Sequence, residues 1–418
     1  MSAPTPSLAH ISGVERQELE LLVTQIWPAI IGAGGLEVRE AADDGLGVAV
    51  VASHRIAVWR GSIVMLLPEQ RIAGARSLAS YGRLRPARRR LERRIFAAAV
   101  LCGVPPFRRR VILQADSKAI AASTHTVIGA VREGLRRPDL DVAMSLRRTA
   151  NRKALLQVVG RRGETVGFAK MAWNEASADG IRAETSMLRE LDGGSSAARF
   201  PRVLLEGQVN GYPYLVTEPL PQNIRMVSDD DVPPVAALAA LCPILRNAKA
   251  RDTAHVAHLH ERFDRIAEEL GDTSEVRALH RLLRAIEDDD VEVPVAARWH
   301  GDFSPWNVGR TPDGTLWCWD FENSERDAAV GLDVLHWHAS RLRTAGGPAR
   351  VADGASIRAA SGPLLRAFGV GPTRAASVHA VYAAEIVTRT LEAVAADGWS
   401  SVWASPGVVQ LIAQSAQL

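Results

Sequence analysis

The sequence has only three cysteines, Cys102, Cys242 and Cys318, and no two of them have the close spacing of a zinc site. An odd number of unpatterned cysteines is typical of a reducing compartment. The longest apolar run near the N-terminus, Ile95 to Val104, is too short to cross a bilayer. The first twenty residues lack the basic and apolar regions of a signal peptide. We therefore expect a cytoplasmic protein with no structural zinc and no membrane insertion.

A strong charge imbalance is also missing, because 50 Lys and Arg face 47 Asp and Glu. This near-balance argues against nucleic acid as the principal partner. The basic stretch at 83–94 and the triplet at 108–110 invite an anionic or protein partner. The alternative is a solvated helix face on which Glu92 pairs locally. At 418 residues the chain is too long for one core, so two or three domains are expected.

The first 140 residues mix helical and strand patterns. Apolar residues recur at helical spacing in 14–31, whereas 47–67 alternate and are rich in Val and Ile. The basic stretch at 83–94 opens a predicted helix, and 117–135 predict another. We place a domain boundary at 136–141.

From Val142 the pattern predicts an antiparallel meander, then a helix with Ser177 or Asp179 as N-cap, and two strands joined at Asn210 and Gly211. Helices are predicted at 233–249, at 254–287 and over much of 326–398. Short strands and loops are predicted between them, at 291–322. A β-rich segment thus precedes a longer helical one.

Two motifs concentrate polar groups among bulky apolar residues, "HGDFSPWN" at 300–307 and "WDFE" at 319–322. Such groups cost free energy unless something binds them. Phosphoryl transfer needs an aspartate beside the attacking hydroxyl and oxygen ligands for metal ions. Asp302 fits the first role, and Asn307 and Asp320 supply the hard oxygen ligands that suit Mg²⁺.

The same chemistry needs a cation on the nucleotide phosphates, and Lys170 lies in the predicted apolar strand "GFAKMAW". Burying a lysine without an anionic partner is expensive. Glu184 shares a predicted helix face with Ile181 and Leu188, so it points inward and can pair with Lys170. The order of meander, lysine strand and acidic helix is that of a kinase small lobe.

Together these motifs resemble the aminoglycoside phosphotransferase and choline kinase family, over roughly residues 142–400. The resemblance implies an α+β, bilobal protein-kinase-like fold. An antiparallel-sheet small lobe and hinge would span 141–222, and a mostly helical large lobe with the catalytic loop would span 223–418. Residues 1–140 would form an additional α/β accessory domain, whose role the resemblance leaves open.

By this resemblance Asp302 is the catalytic aspartate, Asn307 and Asp320 are metal ligands, and Lys170 with its partner Glu184 contacts the phosphates. Three further parts of the expected nucleotide site are implied. Thr217, Glu218 and Leu220 lie in the interlobe hinge that meets adenine, and the loop 147–153 brings Asn151 and Arg152 to the phosphates. That loop has no glycine, unlike the loop of protein kinases. The family often has a Gly-x-Pro sequence before a later Asp-Leu, and this chain keeps Gly331 and Asp333 but lacks the proline. We expect Asp333 to act as a hydrogen-bonding brace under the catalytic loop.

The predicted function is ATP- and Mg²⁺-dependent transfer of a phosphoryl group to a small-molecule hydroxyl, with a sugar or related metabolite favoured over an aminoglycoside. The alternative is a nucleotide-binding regulator or scaffold with weak or no transfer. A protein kinase fits less well, because no long activation loop follows Asp320. His300 is interpreted as a packing residue. His336 and His338 are expected to pack against the large lobe or to line the acceptor cleft.

Overall fold

The structure is a computed structural model of the chain. It describes residues 22, 26, 36–39, 49–59, 62–81, 84, 87–104, 110–115, 126–145, 154–194, 197–228, 233–346, 353–399, 402 and 404–416. The chain divides into two units. The sheet unit comprises Met1–Thr185 and Pro201–Leu220, and the helical unit comprises Ser186–Phe200 and Pro221–Leu418.

The described residues of the sheet unit form nine antiparallel strands, which follow one another in space as β1-β4-β2-β3-β5-β6-β7-β9-β8. Their bounds are β1 Leu36–Arg39, β2 Ala49–Trp59, β3 Ser62–Pro68, β4 Arg110–Ala115, β5 Asp141–Ser145, β6 Ala154–Val159, β7 Thr165–Met171, β8 Val203–Val209 and β9 Tyr212–Thr217. Helices α1 Arg71–Ser80, α2 Ala87–Cys102 and α3 Val127–Gly134 accompany them, and α4 Glu175–Leu191 begins in this unit.

Strand β3 shows why a continuous apolar run belongs at the centre of this sheet. The sheet has a hydrophobic core on each face. Met65 and Leu67 pack into the core that includes α1 and α2, whereas Leu66 packs into the core on the opposite face. Burial on both faces removes the alternation that a half-exposed strand would show. The pairing of β3 with β5 carries the sheet across the predicted boundary at 140/141. The division between an accessory domain and a small lobe stays a prediction.

Local turn chemistry fixes two other parts of the sheet unit. Asn210 and Gly211 both have positive φ, 54° and 82°, as a two-residue type I′ hairpin between β8 and β9 requires. The N-cap prediction for α4 was wrong, because the helix begins at Glu175. Asn174 accepts the Ser177 N–H, and the Ser177 hydroxyl accepts the Asn174 N–H, so the two residues form a reciprocal cap.

The helical unit combines helices with two small antiparallel sheets. The helices are α5 Val235–Leu241, α6 Ala254–Leu270, α7 Ser274–Asp288, α8 Leu332–Gly346, α9 Gly354–Ala367, α10 Pro372–Asp397 and α11 Pro406–Ser415. One sheet pairs β11 Ile244–Lys249, β12 Glu292–Trp299 and β15 Glu325–Ala329. The other pairs β10 Arg225–Met226, β13 Val308–Arg310 and β14 Leu316–Cys318. Helix α10 packs against α6, α7, α8, α9 and α11 and forms the centre of this unit.

The predicted helix at 233–249 is only partly correct. Helix α5 ends at Leu241, and β11 follows it. Pro243 explains the break, because proline cannot continue a helix. The prediction at 254–287 holds as two helices, separated where Gly271 adopts φ 66° and Thr273 caps α7. The α+β class is confirmed, with an antiparallel-sheet unit and a mostly helical unit. Among the described residues, no helix has the length and apolar character needed to cross a membrane.

Candidate functional site

The sheet unit contributes the predicted pair of Lys170 and Glu184. Lys170 lies on β7, and its ammonium donates to the Glu184 carboxylate at 2.6 Å. Glu184 is 3% exposed and shares the inner face of α4 with Ile181 and Leu188. The helical spacing read from the sequence therefore places this carboxylate correctly. A buried carboxylate with a bound lysine holds the ammonium in one position, which a phosphate-binding cation requires.

The predicted hinge residues lie at the end of β9 and just after it. Thr217 pairs with Phe168 on β7 and with Val203 on β8, so the strand is held on both sides. Glu218 donates its backbone N–H to the Arg202 carbonyl at 2.9 Å, and its side chain accepts the Arg202 N–H at 3.1 Å. Leu220 is half-buried two residues later. Asn151 and Arg152, predicted to meet phosphate, lie outside the described residues.

The helical unit presents Asp302 on the loop between β12 and β13. The Asn307 amide nitrogen donates to the Asp302 carboxylate at 2.8 Å and to the Asp302 backbone carbonyl at 3.0 Å. Both partners are acceptors, so the amide nitrogen must face Asp302 and the amide oxygen must point away. Asp302 and Asn307, five residues apart in the sequence, are therefore in contact, and this contact sets the direction of the Asn307 amide oxygen.

Asp320 follows β14 at the same end of the β13–β14 hairpin as Asn307. Val308 is paired with Cys318, and the Trp319 N–H donates to the Asn307 carbonyl at 3.2 Å. Asp320 has φ 72°, a left-handed conformation that is uncommon outside glycine. Cys318 and Phe321 are buried on either side of this segment, while Asp320 is half-buried. The hairpin thus brings two oxygen-bearing side chains to one edge.

The loop that carries Asp302 is held from beneath by Asp333, at the start of α8. The Asp333 carboxylate accepts the backbone N–H groups of His300 at 2.9 Å and Gly301 at 3.1 Å. It also accepts the thiol of Cys242 at 3.4 Å, and burial raises the pKa of that thiol. The bracing role expected for Asp333 is confirmed. Gly301 is required here, because it has φ 83° and a Cβ would lie 1.9 Å from the Asn323 carbonyl oxygen.

His300 acts as part of the same scaffold. Its Nε2 lies 3.1 Å from the Trp319 carbonyl oxygen, and its Nδ1 accepts the Asp302 N–H at 3.3 Å. These partners fix the neutral tautomer with the proton on Nε2. Complete burial lowers the pKa of His300, which keeps the ring neutral. The interpretation of His300 as a packing and hydrogen-bonding residue agrees with this geometry.

The structure adds His336, which the sequence analysis did not connect to Asp302. Its Nε2 lies 2.9 Å from the second oxygen of the Asp302 carboxylate. The Tyr382 hydroxyl lies 3.3 Å from His336 Nδ1, and burial raises the pKa of that phenol. A carboxylate can only accept, so Nε2 donates, and in the neutral ring Nδ1 then accepts from the tyrosine hydroxyl. Asp302 is thus held on one oxygen by Asn307 and on the other by His336.

Comparison with known proteins gives structural likeness alone. No family model matches the chain, and no curated protein sequence does. Choline kinase LicA from Streptococcus pneumoniae is 12% identical, with 69% of this chain and 96% of that chain covered at a TM-score of 0.43. LicA in complex with AMP is 10% identical, with 70% and 97% covered at 0.46.

The GDP complex of a mutant aminoglycoside 2′-phosphotransferase-IIIa is 13% identical, with 69% and 96% covered at 0.39. These structures belong to the two kinds of enzyme named in the resemblance drawn from the motifs. All three TM-scores are below 0.5, so the residue roles below rest on the contacts within this chain.

Proposed function

We propose that this protein is an ATP- and Mg²⁺-dependent phosphotransferase that phosphorylates a hydroxyl group of a small molecule. The double restraint on the Asp302 carboxylate carries this proposal. A carboxylate that orients an attacking hydroxyl must keep one geometry, since a small misplacement lowers the rate greatly. Asn307 and His336 hold its two oxygens at 2.8 and 2.9 Å, and Asp333 fixes the backbone before it.

Asp302 accepts a hydrogen bond from the acceptor hydroxyl and takes its proton as the bond from that oxygen to the γ-phosphorus forms, while the bond from the γ-phosphorus to the bridging oxygen breaks and ADP leaves. Lys170, held by Glu184, contacts the nucleotide phosphates and offsets their charge. Thr217, Glu218 and Leu220 provide the backbone groups for the adenine edge, and Asn151 and Arg152 provide further phosphate contacts.

The donor set fits a hard divalent cation. The Asn307 amide oxygen faces away from Asp302, and Asp320 offers a carboxylate at the same end of the hairpin. Oxygen ligands of this kind suit Mg²⁺, which lowers the charge on the phosphates when bound. We therefore assign Asn307 and Asp320 as its ligands.

The acceptor is proposed to be a sugar or related metabolite. A polycationic aminoglycoside would need a cluster of uncommitted carboxylates, and the acidic run at 287–290 does not supply one. Asp290 binds Lys249 and Arg251, and Glu287 binds Arg284. The chain's own cations therefore neutralise two of the four carboxylates in this run. The second acidic run, at 228–231, lies largely outside the described residues.

The test is ADP release from ATP with and without Mg²⁺, across a panel of sugars, amino alcohols and aminoglycosides. We expect one acceptor class to stimulate turnover. Asp302→Asn should abolish that turnover and leave ATP binding nearly unchanged, because Asp302 faces the acceptor. Asp288→Asn, an exposed position at the end of α7, is the matched control. Full turnover in Asp302→Asn would refute the mechanism. ATP binding with no stimulation by any acceptor would favour a nucleotide-binding regulator.

A further inference from the structure

The outer surface of α1 and α2 lies within residues 71–104, most of which the structure describes. This segment has a large excess of positive over negative side chains. The sequence of residues 71–104 contains nine arginines and a single acidic residue, Glu92, and six of these arginines are exposed on α1 and α2, which form the α1–α2 surface. The stretch is therefore more positive than the whole chain, whose net charge is +3. Nothing in the proposed phosphotransferase site uses it.

The same surface exposes large apolar side chains. Half of the large hydrophobic residues exposed in the described part of the chain lie on it, namely Ile72, Leu91, Ile95, Leu101 and Val104. Leu91 and Ile95 are each 59% exposed. The inner side of α2 is already occupied, because Ala97 and Val100 pack into the core with α1 and β3. These exposed side chains are therefore additional to the core.

The exposed residues of α2 form a line. Leu91, Ile95, Ala98 and Cys102 are exposed and are spaced four, three and four residues apart, which places them along one face of the helix. The helical rotation puts Arg88 on one side of this line and Arg90 and Arg94 on the other. Glu92 binds Arg88 and Arg89. Arg90 and Arg94 are exposed and have no ion-pair partner among the described residues.

Apolar side chains flanked by arginines restrict the partner. A second copy of α2 would set arginine against arginine, which costs free energy. A nucleic acid would satisfy the arginines but would leave the apolar line against phosphates. An anionic lipid surface satisfies both, because apolar side chains enter the acyl boundary and guanidinium groups meet lipid phosphates.

We propose that the α1–α2 surface binds the face of a membrane that contains anionic lipids, with Leu91 and Ile95 entering the interface and Arg90 and Arg94 contacting the headgroups. The binding is peripheral, and it does not depend on the proposed catalytic function. Its tests below use no activity measurement, so either proposal can fail without the other.

Cys102 offers a direct probe, because it is exposed at the end of the apolar line. To restrict labelling to Cys102, the full-length protein would carry Cys242→Ser, because Cys242 is half-buried. Cys318 is buried and can stay. A nitrobenzoxadiazole label on Cys102 should brighten and shift to shorter wavelength with vesicles of phosphatidylcholine and phosphatidylglycerol. Neutral phosphatidylcholine vesicles should produce little change, and added salt should weaken the response.

Matched variants separate the two contributions in vesicle co-sedimentation. Arg90→Gln with Arg94→Gln should weaken binding about fivefold for each arginine removed. Leu91→Gln with Ile95→Gln should remove the fluorescence shift. The controls are Arg277→Gln with Arg284→Gln, whose arginine side chains are 52% and 62% exposed, and Ile244→Gln with Leu245→Gln, which are 49% and 63% exposed. These make equal changes on the helical unit and should bind like the wild type.

Three results would overturn the proposal. The first is absence of binding to the anionic vesicles, or equal binding to neutral ones. The second is an equal loss of binding in the control variants. The third is a preference for another partner, seen as binding to duplex DNA in place of vesicles or as a dimer that Ile95→Gln dissociates. Unchanged thermal unfolding of each variant would establish that folding is intact.

Discussion

His336 binds the carboxylate on which the proposed chemistry depends. Its Nε2 donates to Asp302 at 2.9 Å, and Tyr382 donates to its Nδ1 at 3.3 Å. Hydrogen bonds to charged groups contribute about 1.5–3 kcal/mol. We expect His336→Ala to lower turnover by about tenfold to a hundredfold at unchanged ATP affinity. Tyr382→Phe should have a smaller effect of the same kind, because it acts through His336.

Steady-state kinetics and ATP titration of these two variants would check this. Turnover in His336→Ala equal to that of the wild type would show that Asn307 alone positions Asp302. An equal loss in both variants would instead indicate that the tyrosine contacts the acceptor.

Lys170 and Glu184 allow stability to be separated from activity. Lys170→Met leaves the 3% exposed carboxylate without its ammonium, and removing one partner of a buried pair costs about 3–5 kcal/mol. Lys170→Met with Glu184→Leu replaces the pair by apolar side chains and should recover most of that loss. Neither variant should bind ATP tightly. Thermal unfolding and ATP titration measure the two effects, and tight ATP binding by the double variant would contradict the role of Lys170.

Sequence spacing predicted one of these side-chain contacts, between Lys170 and Glu184, but not the contact between His336 and Asp302. The pairing of Lys170 with Glu184 could be predicted from one strand and one amphipathic helix. The contact of His336 with Asp302 spans 34 residues and two elements, and no local pattern encodes it. One signal was present, because Asp333 and His336 are three apart on α8 and so share a face. A brace at Asp333 implies that His336 also faces the loop.

At the scale of elements, Asp333 couples α8 to the catalytic loop. Its carboxylate accepts two backbone N–H groups and the Cys242 thiol. Asparagine offers only one acceptor oxygen, so Asp333→Asn leaves a buried donor unpaired, at a cost of about 1–3 kcal/mol. We expect lower thermal stability and lower turnover together. Cys242→Ala removes only the weak thiol donor and should change both much less. Equal effects of the two variants would show that the backbone contacts are not what Asp333 contributes.

The elements themselves were predicted where pattern and chemistry agree. The meander, the Asn210–Gly211 hairpin and α4 follow from alternation, turn residues and helical spacing. Strand β11 was missed, because its residues are exposed or half-buried and its pairing with β12 lies some 45 residues away. Only the tertiary partner decides such a segment.

At the scale of the whole molecule, the described residues include a buried charge cluster within the helical unit. Glu385 is fully buried and binds Arg262, Arg389 and His255. These partners hold the pKa of Glu385 well below its usual range despite burial. His255, Glu325 and Glu385 have the spacing of a metal site. The Arg262 guanidinium already lies against both carboxylates, so this cluster is an ion-pair network that joins α6 to α10.

Stability over the whole molecule should depend on pH through histidines that folding keeps neutral. Burial lowers the pKa of His54 in the sheet unit, and it lowers the pKa of His338 and His379 in the helical unit to about 4. Below about pH 6.5 these histidines bind protons in the unfolded chain but stay neutral in the folded protein, so acidification favours unfolding. The loss is roughly 1.4 kcal/mol per pH unit for each such histidine. Carboxylates such as Glu385, whose pKa is lowered, add their loss only below about pH 4.5.

We therefore expect the unfolding temperature to fall between pH 6.5 and 4.5, before the carboxylates titrate. His379→Gln should make the unfolding temperature depend less on pH, because glutamine binds no proton in either the folded or the unfolded state. His258 has the opposite sign, because its hydrogen bond to Glu325 raises its pKa and so favours the folded state at acid pH. The His258 gain accumulates as the pH falls toward 6.5 and is complete below that value. His258→Gln should therefore remove a small gain in stability between about pH 7.5 and 6.5 and leave the slope at lower pH nearly unchanged, and the effect is small because this side chain is 44% exposed. Thermal unfolding from pH 7.5 to 4.5 measures both effects. A curve for His379→Gln that runs parallel to the wild type below pH 6.5 would show that the acid response arises from other groups.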